Sequence, residues 1–255
     1  MSSASTDPAD TTPEQETAIA RSVVYSCLSR LLAYPSPQHN SYIEEVLAPV
    51  LQDLRLPHEV RSPLQVVLAE HSAPLDELRR AHTLLFPPIE SQDYPAYETA
   101  YSAADVFRQT HTMADVAGFY RAHGLQVGGT ERERPDHITT ELEFMAFMAA
   151  KEAWAFAHLG SDETGECRRT QELFLSEHLG RWGVSLGLRI SVGAGHSLYR
   201  AIGDLLAAWL ETDMNALGIT PSERYDRPVP QAEPDDGECG PDPASILAPP
   251  TIRKV

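Results

Sequence analysis

The chain has 255 residues, of which 42% are hydrophobic, a share that is usual for a globular protein and argues against a wholly disordered chain. The formal net charge is −17; residues 1–16 contribute −4 and residues 218–255 contribute −3, so −10 belongs to the middle of the chain. A body this acidic repels phosphate backbones, so no nucleic-acid partner is predicted and a helical DNA-binding regulator is the poorest interpretation. It would attract a basic peptide, although the same charge also simply keeps a protein in solution.

The sequence contains no run of 18 apolar residues, so no membrane span is predicted. The first sixteen residues lack both a basic region and an apolar stretch, so we expect a cytoplasmic protein without a secretory signal or membrane insertion. The three cysteines Cys27, Cys167 and Cys239 are far apart and form no CxxC motif, which argues against a disulfide framework and a cysteine-rich metal site. Cys27 lies on an apolar helix face and is expected in the core.

Helical periodicity dominates the chain, and no convincing strand is found. The first helix is predicted from Pro13 to Tyr34, with Thr12 as its N-cap. Later helices are predicted near 42–54, after Pro57 or Pro63, near 75–85, and over about 97–123, 135–158, 163–188 and 194–217.

The predicted fold class is therefore all-α, with a single globular bundle of about eight to ten helices. We expect residues 1–12 to be a disordered N-terminal tail and residues 13–217 to form the helical domain. Residues 218–255 are rich in proline and acids, and we expect a tail that is disordered or loosely docked.

A proline-rich loop interrupts the helices between Phe86 and Pro95. Its prolines exclude a regular helix, and its aromatic and aliphatic residues are unusual for a solvated loop. A loop of this kind is a candidate contact surface. The contact residues predicted in it are Pro87, Pro88, Glu90 and Tyr94.

A polar segment precedes the most apolar helix, which is predicted to start at Pro135. Helix initiation alone explains Pro135 at the first helical position and Asp136 at the positive end of the helix dipole. It does not explain why His137, Glu141 and Glu143 gather at the same end, where acceptors suit a bound arginine. His137 and Glu141 form at most two ligands of a metal site, so a hydrogen-bonded pair is the preferred interpretation.

Motifs of catalysis and cofactor binding are missing from the sequence. There is no Gly-rich phosphate loop after a strand, no GxSxG and no HExxH. We therefore predict no catalytic residues, no metal, no cofactor and no enzymatic activity.

Several segments resemble the TorD/NarJ (DmsD-like) family of redox-enzyme maturation chaperones. They are Met113–Arg121, Glu133–Ile138 and Glu141–Met145, and Pro87–Ser91 is similar to the Pro-Pro segment of the family. The resemblance follows the helix order from about residue 15 to 217. It implies an all-helical chaperone and is strongest to the chaperones of type II dimethyl sulfoxide reductase-family molybdoenzymes.

The resemblance also implies a client, the catalytic molybdenum subunit of a dimethyl sulfoxide reductase-family enzyme. Such a chaperone holds the apo-subunit until its molybdopterin guanine dinucleotide is inserted, and many members bind the client's twin-arginine signal peptide. The site residues that match the family motif are Arg134, Pro135, Asp136, His137 and Glu141. A basic peptide with an apolar stretch needs an acidic rim and an apolar groove, so we assume that the loop and this helix start face each other.

Other interpretations stay open at this stage. The chain is alternatively an accessory subunit retained in the mature enzyme complex, or a helical metal-dependent enzyme. Either a monomer or a homodimer is compatible with the sequence.

Overall fold

A computed structural model gives the architecture for residues 11–53, 56–87, 91–102, 106–128 and 134–229. These described residues form helices, with no β-strand beyond one isolated bridge. The predicted all-α class is confirmed. Most of the two predicted tails, including Cys239, lies outside the described residues.

The helices follow one another closely along the chain. They are α1 (Pro13–Leu32), α2 (Pro37–Tyr42), α3 (Ala48–Asp53), α4 (His58–Glu70), α5 (Leu75–Leu85), α6 (Thr99–Ser102), α7 (Val106–Ala122), α8 (Ile138–His158), α9 (Ser161–Phe174), α10 (Gly180–Gly193) and α11 (Ser197–Leu217). Two π-helical segments, Ile43–Leu47 and Leu175–Leu179, join α2 to α3 and α9 to α10.

Helix α1 begins as its sequence predicts. The Thr12 side chain accepts a hydrogen bond from the backbone N–H of Gln15 (3.2 Å), and Pro13 occupies the first turn. Cys27 is buried in the core, as expected, and burial raises the pKa of its thiol to about 12. The predicted N-cap and core position are both confirmed.

The core is built around α8 and α11. Leu142, Met145 and Met148 of α8 are fully buried between α1 and α9, while α11 packs against α10 and α4. Helices α10 and α11 cross with their backbones in near contact, because a Cβ added at Gly187 would lie 2.8 Å from the carbonyl oxygen of Gly203. A side chain at either glycine would push the two helices apart.

A buried ionic network, the Arg21 hub, joins four helices. The Arg21 guanidinium binds both carboxylate oxygens of Asp213 (2.6 and 2.9 Å) and one oxygen of Glu152 (3.3 Å). Glu152 also accepts hydrogen bonds from Arg168 (2.6 and 2.8 Å) and Gln171 (2.7 Å). Since each buried charge has a partner of opposite sign, the hub ties α1, α8, α9 and α11 together without an uncompensated charge.

The helix predicted over 163–188 is interrupted by a π-helical segment. Its wider turn places Gly180 so close to the carbonyl oxygen of Leu175 that an added Cβ would lie 2.3 Å from it. Of the helix predicted over 97–123, the structure describes α6 and α7; residues 103–105 between them lie outside the described residues.

The helix predicted from Pro135 begins three residues later, at Ile138, and this corrects the prediction. His137 is the N-cap and has extended backbone angles (φ −78°, ψ 141°). It is held extended because the chain pairs with an earlier segment: Glu98 N–H donates to the carbonyl of Asp136 (3.0 Å), and Ile138 N–H donates to that of Ala96 (2.8 Å). Helix initiation therefore does not explain Pro135 and Asp136.

The first part of the predicted tail lies against the body. Gly218 ends α11 with a positive φ of 69°, a conformation that favours glycine. The backbone N–H of Tyr225 then donates to the carbonyl of Arg181 (2.8 Å), and that of Val229 to the carbonyl of Ala100 (2.8 Å). Residues 218–229 thus belong structurally with the helices.

Within the described part of the chain, no helix combines the length and apolar character that a membrane crossing requires.

Candidate functional site

An open cavity of about 530 Å³, here named the α5–α8 cleft, lies between the C-terminal ends of α1 and α5 and the segments 91–97 and 134–139. Four of the predicted site residues line it: Pro87, Tyr94, Arg134 and His137. The proline-rich loop and the start of α8 do face each other, as the sequence analysis assumed. Pro88 and Glu90 lie outside the described residues.

The carboxylate of Asp136 is fully buried beneath this cleft. Its Oδ2 accepts hydrogen bonds from the backbone N–H of Thr99 (3.2 Å) and from the Thr99 hydroxyl (2.8 Å). The two segments that meet at the backbone bridge are therefore also joined through side chains. Asp136 therefore holds the floor of the cleft in place, and its carboxylate is not exposed in the cleft.

Arg134 is the residue that covers Asp136. Its Nε donates to Oδ1 (3.0 Å) and its Nη2 to Oδ2 (2.8 Å), a two-point pairing of guanidinium and carboxylate. The guanidinium also lies 4.3 Å from the ring centroid of Tyr97, and the side chain is 36% exposed. Of the two groups of this ion pair, the guanidinium is the one that meets solvent.

His137 and Pro135 are fixed by local contacts. The Nδ1 of His137 accepts a hydrogen bond from the backbone N–H of Thr139 (3.3 Å), which caps α8, and its ring meets that of Tyr97 edge-on at 5.1 Å. The Tyr120 hydroxyl donates to the carbonyl of Pro135 (2.7 Å). The imidazole of His137 therefore lines the cleft in a defined orientation.

Glu141 points into the core and does not line the cleft. One oxygen accepts a hydrogen bond from the Trp182 indole (3.2 Å), and the other has no hydrogen-bond partner among the described residues. Burial, together with the nearby carboxylates of Glu98 and Asp136, raises the pKa of Glu141 well above its usual range. The predicted pairing of His137 with Glu141 is not seen.

A second buried pair was missed by the sequence analysis. Glu98 and His178 are both buried, with 3.0 Å between His178 Nδ1 and the Glu98 carboxylate, and burial raises the pKa of Glu98. His178 belongs to the π-helical segment before α10. Neither residue forms a local motif, and a contact across 80 positions leaves no trace in helical periodicity.

The acidic rim expected from the sequence is not formed by Asp136 and Glu141, because both carboxylates are buried. Among the described residues lining the cleft there is no Asp or Glu; the lining is aromatic, aliphatic, small and polar, or basic. The described stretches also bring together no group of three or more His, Cys, Asp or Glu side chains able to hold a metal ion. An open, aromatic cleft in a helical body is the geometry expected of a binding protein.

The comparisons with known proteins agree with this class. The family model described as nitrate reductase delta subunit matches residues 53–186, and the chain belongs to this family. The resemblance to the TorD/NarJ maturation chaperones is thereby confirmed.

Three relatives are named as assembly chaperones. The perchlorate reductase assembly chaperone of Dechloromonas aromatica (strain RCB) is 27% identical over 212 residues, which is 78% of this chain and 90% of the relative. The selenate reductase assembly chaperone of Thauera selenatis is 32% identical over 106 residues, 42% of this chain and 53% of the relative. The chlorate reductase assembly chaperone of Ideonella dechloratans is 30% identical over 111 residues, 44% of this chain and 55% of the relative. The chain is a maturation chaperone and not an enzyme.

Proposed function

We propose that this protein is a cytoplasmic chaperone for the apo catalytic subunit of a molybdopterin-dependent oxidoreductase. It holds that subunit during cofactor insertion and assembly, before export. The observation that carries the proposal is the match to a perchlorate reductase assembly chaperone over 90% of that relative's length. The selenate and chlorate reductase chaperones point to the same class of client.

The α5–α8 cleft is the proposed client site. It is open and lined largely by aromatic and small side chains, and it gathers Pro87, Tyr94, Arg134 and His137 from separate parts of the sequence. Aromatic rings with polar tips supply contact area at low entropic cost, which suits recognition of an extended peptide.

The client's twin-arginine signal peptide is the proposed occupant of the part of the cleft around Asp136 and His137. Because Arg134 covers Asp136, a guanidinium of the client reaches that carboxylate only by taking the place of Arg134. The exchange replaces one two-point pairing by another, so it keeps the buried carboxylate neutralised.

His137→Asn is the sharpest test of the cleft. Asparagine is a favoured N-cap, so it preserves the start of α8 while removing the imidazole from the lining. We expect unchanged melting and a several-fold loss of affinity for the client's signal peptide in a calorimetric titration. Equal affinity of the variant and the natural chain would remove His137 from the site.

A pull-down from cytoplasm in which the client is expressed tests the wider proposal. The apo catalytic subunit is expected among the captured proteins, and this chain is expected to be absent from the finished, exported enzyme. Its presence there in stoichiometric amount would favour an accessory subunit over a chaperone.

A further inference from the structure

A second cavity, here named the α7–α8 pocket, lies beside the α5–α8 cleft. It has a volume of about 420 Å³ and is bounded by the end of α7, the segment 125–128 and the first turns of α8. Thr139 lines both cavities, so the pocket and the cleft adjoin at the start of α8. A peptide that lies in the cleft can therefore extend into the pocket.

Glu143 is the charged residue of this pocket. Among the described residues that line it there is no other acid and no Lys, Arg or His. Glu143 is exposed, and its carboxylate makes no hydrogen bond or ion pair with the described part of the chain. It differs in this from Asp136 and Glu141, which belong to the same motif and are buried. Charge complementarity therefore favours a cation as the occupant.

The rest of the lining suits the flat face of a guanidinium. Phe147 is exposed and lies one helical turn after Glu143, so their Cβ atoms are about 5–6 Å apart on one face of α8. The rings of Tyr120 and Phe144 pack against each other at 5.0 Å and form a rigid wall. Because a guanidinium stacks on aromatic faces while it pairs with a carboxylate, this lining favours arginine over lysine.

The pocket supplies an acceptor that the cleft lacks. In the cleft, Asp136 offers one carboxylate, and Arg134 already binds both of its oxygens. Adjacent residues of an extended peptide turn their side chains to opposite sides. Two neighbouring arginines therefore need two separate acceptors, and the carboxylate of Glu143 is one that no described residue engages.

We propose that one guanidinium of the client's twin-arginine pair binds in the α7–α8 pocket, where it pairs with Glu143 and lies against the ring of Phe147. This inference rests on the proposed function, because it takes the client's signal peptide as the occupant. It assigns recognition of that arginine to Glu143, and binding there leaves the pair of Arg134 and Asp136 in place.

The test uses a synthetic peptide with two adjacent arginines followed by an apolar stretch, titrated calorimetrically into the full chain. Glu143→Gln keeps the size of the side chain and removes its charge, so the affinity should fall about three- to tenfold. The matched control is Glu166→Gln, which removes the same charge from the exposed face of α9 and should leave the affinity unchanged. Phe147→Leu keeps an apolar side chain without the ring and should also weaken binding.

Peptides with Gln in place of the first or the second arginine identify the pairing. One of the two should bind Glu143→Gln as tightly as it binds the natural chain, because that peptide lacks the guanidinium that Glu143 receives. The effect of Glu143→Gln on the peptide with both arginines should shrink as the salt concentration rises.

The proposal is overturned if Glu143→Gln binds the peptide with both arginines as tightly as the natural chain does. It is also overturned if the variant loses affinity equally for all three peptides. If His137→Asn weakens binding and Glu143→Gln does not, the α5–α8 cleft stands as the client site and only the inference about the pocket is wrong. If the natural chain does not bind the peptide, the inference falls, and the pull-down of the catalytic subunit decides the chaperone function separately.

Discussion

Replacing Asp136 by Asn isolates the pairing that holds the floor of the α5–α8 cleft. The natural carboxylate is fully buried and accepts four hydrogen bonds, two from Thr99 and two from Arg134. Removing one partner of a buried ion pair costs about 3–5 kcal/mol. Arg134 is 36% exposed and Asn keeps one acceptor oxygen, so we expect a smaller loss, about 2–3 kcal/mol.

Urea unfolding followed by circular dichroism measures this loss directly. The matched control is Asp162→Asn, because Asp162 is exposed in the first turn of α9 and should lose only a helix-dipole contribution, about 0.3–1 kcal/mol. A loss for Asp136→Asn no larger than that of the control would refute the reasoning. Asp136 would then not be needed to hold segments 96–99 and 134–138 together.

Three further predictions concern other parts of the molecule. Glu152→Ala leaves the Arg21 hub with an uncompensated charge, so the free energy of unfolding in urea should fall by about 3–5 kcal/mol. The control is Glu166→Ala, on the exposed face of α9, which should change that free energy by no more than about 0.5 kcal/mol. A chain ending at Gly218 lacks the docked residues up to Val229. Its free energy of unfolding should fall by about 2 kcal/mol, which lowers Tm by about 4–8 °C. If a chain ending at Val229 melts at the same low temperature, the contacts of residues 219–229 do not stabilise the fold. Because the raised pKa of Glu141 makes the folded state bind more protons than the unfolded state, its burial should lower stability as the pH rises above about 4.5. Glu141→Gln should flatten that fall between pH 5 and pH 8, and an unchanged pH profile would contradict the assignment.

Helix positions were predictable because an amphipathic helix carries its pattern in local sequence. Thr12 and Pro13 mark the start of α1, as expected, and Gly124, with a positive φ of 74°, lies in the turn after α7. The π-helical segment before α10 was not predictable in the same way. It depends on Gly180 approaching Leu175 and Met214, and Met214 lies on a different helix.

The candidate site was predictable only in part. Of the motif residues, Arg134 and His137 line the cleft, whereas Asp136 and Glu141 are buried. The spacing of these residues says nothing of which side chains turn inward. Asp136 is turned inward by Thr99, and Glu141 by Trp182, partners that lie 37 and 41 positions away. Long-range pairing therefore decides which of the charged groups are exposed at the cleft, and a local pattern does not encode it.

The Arg21 hub has a consequence for the order in which the chain is made. Arg21 is among the first residues of the body to leave the ribosome, and its partner Asp213 follows 192 positions later. At about 5–20 residues per second, that interval lasts roughly 10–40 s. During it α1 has Glu152 of α8 as an earlier partner, but the network closes only when α11 has emerged. Closure of the hub is thus coupled to the synthesis of α11, the last helix of the described body.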